Sequence, residues 1–182
     1  VGDTVALYQE TSKIPLLISV DEEGGTVVRI SKYPAFREGA FLSPRELYSE
    51  GGIERIAEDT KEKAELLLSL GINVNLAPVC DITTDPSAFL YDRSLGQSPE
   101  ITAQYVRDTV QEMNSNKIGS CLKHFPGYGN NADTHTGIAI DSRSLSALEG
   151  CDLIPFAAGI EAGADAILVS HTIVEALDPK NP

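Results

Sequence analysis

Two of the chain's three histidines fall within one short stretch, Cys121-Leu-Lys-His-Phe-Pro-Gly-Tyr-Gly-Asn-Asn-Ala-Asp-Thr-His-Thr136. An apolar run from Ile118 to Leu122 ends there in a charged pair, Lys123 and His124. A Pro/Gly turn then leads into a polar loop that closes on Asp133 and His135. In extended backbone, side chains at i and i+2 point the same way. Asp133 is therefore placed to hold the His135 imidazole, fix its tautomer and raise its basicity. That is the arrangement of a general acid/base and its orienting partner. The same residue types also suit a surface turn capped by Asp beside a solvated His.

The elements that must position this stretch are legible from the apolar pattern. Four short runs rich in Val, Ile and Leu stand out: Pro15 to Val20, Ile72 to Val79, Ile118 to Leu122 and Ala164 to Ser170. Runs of this kind read as strands buried on both faces, the signature of a parallel sheet. Helical stretches lie between them. Glu54 to Leu70 is amphipathic and ends at Gly71, a suitable C-terminal cap. Ile101 to Met113 follows Ser98-Pro99, an N-cap with Pro in the first turn, and its inner face is Tyr105, Val106, Thr109, Val110 and Met113. Ser146 and Glu149 are spaced as a capping box. Pro155 to Ala162 ends at Gly163, and Val5 to Glu10 reads as the tail of an earlier helix.

Strand and helix alternate, which means βαβ units and an α/β fold. A doubly wound open sheet and a TIM-type (β/α)8 barrel compete. No Gly-rich phosphate loop follows a strand, which weakens the nucleotide-binding version. Asp21, Asp81, Lys123-His124 and His171 each sit directly after an apolar run, and the C-terminal rim of a barrel is where such side chains gather. The barrel is the favoured reading. A full barrel takes about 250 residues, and this chain supplies four clear strands. The expectation is an incomplete barrel, about half present, with residues 1–182 forming part of one catalytic barrel domain. The chain opens on Val rather than Met, so it reads as a processed or excised piece.

Composition narrows the partners. Lys+Arg 14 against Asp+Glu 27 gives a net charge of −13, which argues against nucleic acid and anionic membranes. No window is long and apolar enough to span a bilayer. Cys80, Cys121 and Cys151 show no CxxC spacing and read as buried free thiols. They fix no compartment: cytoplasmic and secreted or cell-surface bacterial locations both fit.

Histidines and carboxylates on one rim also suit a metal-dependent hydrolase. But no HxH pair sits at a strand end, and Lys123 beside His124 would repel a cation. Sugars, by contrast, call for carboxylates, Arg and Lys to bind hydroxyl groups, and Asp21, Arg29, Arg93 and Lys123 supply them. Each has a plainer role open to it. Asp21 can cap a strand end, Arg29 and Arg93 can form structural ion pairs, and Lys123 can snorkel to solvent. Asp81 reads as a loop-anchoring carboxylate, and His171 as a wall residue or a reactive one. Phe125 and Tyr128 can wall a pocket or pack the loop.

Lys123-His-Phe-Pro-Gly-Tyr-Gly followed by Asp133-Thr-His135 resembles the catalytic loop of family 3 glycoside hydrolases, in the β-N-acetylhexosaminidase branch. Ile18-Ser-Val-Asp-Glu-Glu-Gly-Gly with Arg29, Asn75-Leu-Ala-Pro-Val-Cys-Asp81 and Asp92-Arg-Ser-Leu-Gly96 match that family in order and rough spacing. The resemblance implies a barrel hydrolase that removes terminal β-linked N-acetylglucosamine with retention and needs no metal or organic cofactor. It places the acid/base on His135, its partner on Asp133, and sugar-binding positions on Asp21, Arg29, Arg93, Lys123 and His124. β-Glucosidase-like activity and phosphorolysis are the neighbouring alternatives.

Two departures from the family pattern stand out. Tyr128 replaces the usual second His of the loop, and the run to Asp133 is one residue short. The family's nucleophilic aspartate follows a strand beyond Ser170-His171, and no such segment is present. Asp165 lies at the wrong end of its strand, and Asp178 is a poor substitute. The fragment alone is therefore expected to be inactive, and to self-associate or pair with the missing half of the barrel through exposed edges.

Overall fold

In the computed structural model, residues 1–131, 133 and 137–182 are described. The elements run α1 (Gly2–Thr11), β1 (Ser19–Val20), α2 (Pro44–Ser69), β2 (Val74–Asn75), α3 (Pro99–Ser115), β3 (Gly119–Phe125), β4 (Ala139–Asp141), α4 (Leu145–Glu149), α5 (Leu153–Glu161), β5 (Ala166–Val169) and β6 (Thr172–Val174).

The main sheet has the order β1-β2-β3-β5, with every pair parallel. A doubly wound sheet reverses its strand order at a switch point. Here neighbours in space are successive in sequence apart from the small rim strand β4, so the four strands form one arc of a (β/α) barrel. β4 pairs in parallel with β6 in a separate two-stranded sheet. Nothing in the sequence marks this pair, since three-residue strands are too short to show a period.

Three of the helices, α2, α3 and α4, start at a serine cap. In α2, Ser43 accepts the Glu46 amide while the Glu46 carboxylate accepts the Ser43 amide, a capping box with Pro44 in the first turn. This helix therefore begins ten residues before Glu54, and Gly51-Gly52 interrupts its regular dihedrals. The two glycines, poor helix formers, hid its first half in the sequence. α3 is capped by Ser98 and buries Tyr105, Val106, Thr109, Val110 and Met113, as its spacing predicts. The capping box expected at Ser146 and Glu149 does not form. Ser144 is the N-cap of α4, receiving the Ala147 amide at 3.2 Å, and Ser146 lies inside the helix.

The core lies between the sheet and its helices. One cluster joins Leu47 and Ile56 of α2, Val106 and Val110 of α3, Leu122 of β3 and Phe156 of α5. A second gathers Ala64, Leu67, Ile72, Met113 and Ile118. α5 comes so close to β3 that a Cβ on Gly159 would lie 2.6 Å from Leu122. Cys80 and Cys121 are buried and Cys151 half-buried, all as free thiols. Burial pushes the Cys80 thiol well up. No helix among the described residues is long and apolar enough to cross a membrane.

Candidate active site

β1 ends in Asp21-Glu22-Glu23, and these three carboxylates go different ways. Alternation along extended backbone sends Asp21 and Glu23 to one side and Glu22 to the other. Glu22 is fully buried and accepts the backbone amides of Arg29 and Ile30 at 2.7 Å and Ser31 at 3.1 Å, as well as the Ser31 hydroxyl. It fixes the loop that carries Arg29. Asp21 and Glu23 both reach Lys123 in the middle of β3, whose Nζ lies 2.8 Å from Asp21 Oδ1 and 2.5 Å from Glu23 Oε1.

Lys123 is 1% exposed, so the solvent-facing alternative for it is wrong. An ammonium this deeply buried would be strongly disfavoured unless paired, and the two carboxylates supply the pairing. Arg93 closes the group with a bidentate bond to Glu23, at 2.9 Å from Nε and 2.8 Å from Nη2. Burial pushes the Glu23 carboxyl up, but the Arg93 hydrogen bonds and the Lys123 and Arg93 charges outweigh it and hold it below the usual carboxylate range. The reciprocal effect appears at Arg93: burial lowers it, and Glu23 carries it above its ordinary value.

His124 sits where β3 shifts register against β5, between Lys123 and Phe125. Such irregularities re-aim side chains beside functional sites. Its Nδ1 lies 2.7 Å from Asp81 Oδ2, and its Nε2 lies 3.1 Å from Arg93 Nη2. Arginine only donates, so Nε2 accepts and Nδ1–H donates to Asp81. The ring is thus held as one neutral tautomer. Asp81, 1% exposed, also accepts the His124 amide at 2.9 Å and the Tyr128 amide at 2.8 Å. It is the loop anchor expected from its position. The Tyr128 ring packs edge-on against His124 and Phe89, with centroids at 5.5 and 5.9 Å.

Asp21, Arg29, Arg93, Lys123, His124, Tyr128 and His171 line one cleft of about 350 Å³, together with Glu23, Val27 and the end of β5. All five positions expected to bind sugar therefore face the same space. Arg29 and His171 are exposed on its rim. Asp133 is half-buried, whereas His135, the expected acid/base, lies outside the described residues. Asp165 is at the opposite end of the sheet, where it accepts the Ser120 amide at 2.9 Å. Asp178 accepts amides from Lys180 and Asn181 in an exposed turn.

Glu22 and Glu23 were overlooked in the sequence. The available signal was three consecutive carboxylates at a strand end, which cannot all face solvent if the strand is buried. Lys63 was overlooked too. It is 8% exposed, pairs with Asp59 at 2.8 Å and donates to the Glu23 carbonyl at 3.0 Å.

Residues 3–182 match the family model described as the glycosyl hydrolase family 3 N-terminal domain. A β-hexosaminidase from Xylella fastidiosa (strain M23) is 36% identical over 180 residues, covering 96% of this chain and 53% of that protein. The structure of a family 3 β-N-acetylglucosaminidase from Paenibacillus sp. str. FPU-7 aligns with a TM-score of 0.90 at 30% identity, over 100% of this chain and 35% of that one. NagZ from Neisseria gonorrhoeae, solved in complex with N-trifluoroacetyl-D-glucosamine, aligns with a TM-score of 0.86 at 27% identity, over 99% of this chain and 54% of that one. The chain thus spans about half the length of the curated relatives it matches.

Proposed function

The chain belongs to glycosyl hydrolase family 3, through the N-terminal domain of that family, and from that premise we propose that the full protein removes terminal β-linked N-acetylglucosamine with retention of configuration. The observation that carries this reading is the convergence of Asp21, Arg93, Lys123 and His124 on one cleft, each held by a buried partner. Carboxylate, ammonium, guanidinium and imidazole groups at fixed positions are what a ring of sugar hydroxyls requires. A relative crystallised with an N-acylated glucosamine supports the aminosugar as ligand.

In this mechanism His135, as imidazolium, protonates the leaving glycosidic oxygen while Asp133 stabilises the cation. A carboxylate attacks the anomeric carbon from the opposite face and forms the glycosyl-enzyme. Neutral His135 then takes a proton from the incoming water. The nucleophile is inferred to come from outside this chain. Asp21 and Glu23 are committed to Lys123, Asp81 to the loop, and Asp165 to the far end of the sheet.

The test is turnover of nitrophenyl N-acetylglucosaminide and nitrophenyl glucoside by the natural full-length protein and its His135→Ala variant. Preference for the aminosugar, with loss of about a hundredfold or more in His135→Ala, is expected. Equal use of both sugars, or full activity without His135, overturns the proposal.

A further inference from the structure

Resting on that reading, we infer that Arg143 is a positioning residue for the acid/base step, through its hold on both stems of the segment from Gly127 to Asp141. That segment carries Asp133 and His135 in the sequence.

Arg143 Nη2 lies 2.6 Å from Asp141 Oδ2, at the end of β4, and donates to the Gly127 carbonyl at 3.3 Å, where the chain leaves β3. Its Nη1 lies 2.6 Å from Asp152 Oδ2. Both carboxylates are 1% exposed. One planar guanidinium therefore spans the departing stem, the returning stem and α5, a reach that a lysine point charge cannot reproduce.

Two further observations separate this from simple charge neutralisation. Asp152 occupies the N-cap position of α5 yet makes no capping hydrogen bond there. Its side chain is turned instead to Arg143 and to the backbone of Gly127, where an added Cβ would lie 2.7 Å from Asp152 Oδ1. The loop also lies flush on the guanidinium, since a Cβ on Gly129 would come within 2.9 Å of Arg143 Nη1. The sugar-binding groups have separate supports, Glu23 and Asp81, which Arg143 does not touch. Loosening Arg143 should therefore disturb proton donation and spare sugar affinity.

The experiment compares Arg143→Lys and Gly129→Ala with the natural full-length protein. Amide hydrogen exchange is read at Gly127 and Asn131, which donate to the His124 and Tyr128 carbonyls. Exchange there should quicken in both variants while the Cys121 amide in β3 stays protected. Alongside, kcat should fall about ten- to a hundredfold for the nitrophenyl N-acetylglucosaminide. It should fall much less for the dinitrophenyl substrate, whose leaving group needs little protonation, and the Kd for N-acetylglucosamine should hold. Unchanged exchange overturns the inference. So does an equal loss for both leaving groups, or a parallel loss of sugar affinity, because either marks Arg143 as merely structural. A wild-type protein that fails to turn over either substrate contradicts the glycosidase reading instead, and the exchange arm then decides whether Arg143 anchors the segment.

Discussion

Asp81 ties His124 and the Tyr128 segment together through one buried side chain, and replacing it with Asn tests that reasoning. Its two oxygens receive three donors: the His124 amide and Nδ1–H on Oδ2, and the Tyr128 amide on Oδ1. An asparagine of the same shape has one accepting oxygen and one NH2. With the oxygen towards His124, the Tyr128 amide faces a donor; with the amide flipped, both His124 donors do. The first arrangement is the cheaper. It leaves one buried N–H unpaired, at about 1–3 kcal/mol, and weakens the bonds to His124 that had been charge-assisted. Together these predict a destabilisation of about 2–4 kcal/mol, or a fall in Tm of about 4–16 °C for a chain of this size. His124 keeps its Nδ1–H bond to the amide oxygen but loses the carboxylate's charge, so the ring that accepts from Arg93 is held less firmly. N-Acetylglucosamine affinity should drop about tenfold or more. Calorimetry gives the first quantity and isothermal titration of the sugar into the full-length protein gives the second. A variant within about 0.5 kcal/mol of wild type, the range of a featureless surface change, with unaltered affinity would show that Asp81 does not organise the loop.

Acid should destabilise the fold through Glu23 and Asp141, whose carboxyls are both held below their ordinary range in the folded state. Each therefore contributes stability above its unfolded pKa of about 4, and that contribution is lost as pH falls through the lowered folded value. Asp152 works the other way, since burial raises its carboxyl, so this one group opposes the other two. Urea midpoints taken from about pH 6 down to about pH 3 should fall, and a flat or rising series would contradict this. A cavity of about 30 Å³ beside Glu23 is lined by Thr109, whose buried Oγ1 has no hydrogen-bond partner, and by Asp59 and Lys63, which pair at 2.8 Å. That is room for one water with polar partners, so a high-resolution crystal structure should show a water between Asp59 and Thr109; an empty or collapsed cavity would refute it. The outer strand β5 exposes all four of its residues, including Val169 at 62%. The 182-residue chain on its own should therefore self-associate, and Val169→Lys should reduce this in sedimentation; a monodisperse wild-type monomer would count against it.

The four strands of the main sheet were legible because each lies in a short apolar run closed by a polar or charged residue, and α3 because its cap and inner face agree. Strand order was not written in any single run. It emerges from pairing between segments such as Val20 and Asn75, or Leu122 and Ile167. The start of α2 was hidden by Gly51-Gly52, whose poor helix propensity is overridden by the Ser43 capping box and by burial of Leu47. At the site, Lys123 and Arg93 were recognisable as chemistry-bearing, yet the partner that holds both, Glu23, was not. The contact joins residues 70 apart in one case, and nothing local distinguishes a buried carboxylate from a solvated neighbour. Lys63 and Arg143 escaped for the same reason: a cation on an exposed-looking helix or loop shows its burial only when distant carboxylates close over it.

The most direct test of the account is the anomeric NMR spectrum of the sugar first released when the natural full-length protein cleaves a β-linked N-acetylglucosaminide. The account predicts cleavage with the β-anomer appearing first and the α-anomer growing in only by mutarotation. Initial release of the α-anomer, or failure to cleave this linkage while a β-glucoside is cleaved, would contradict it.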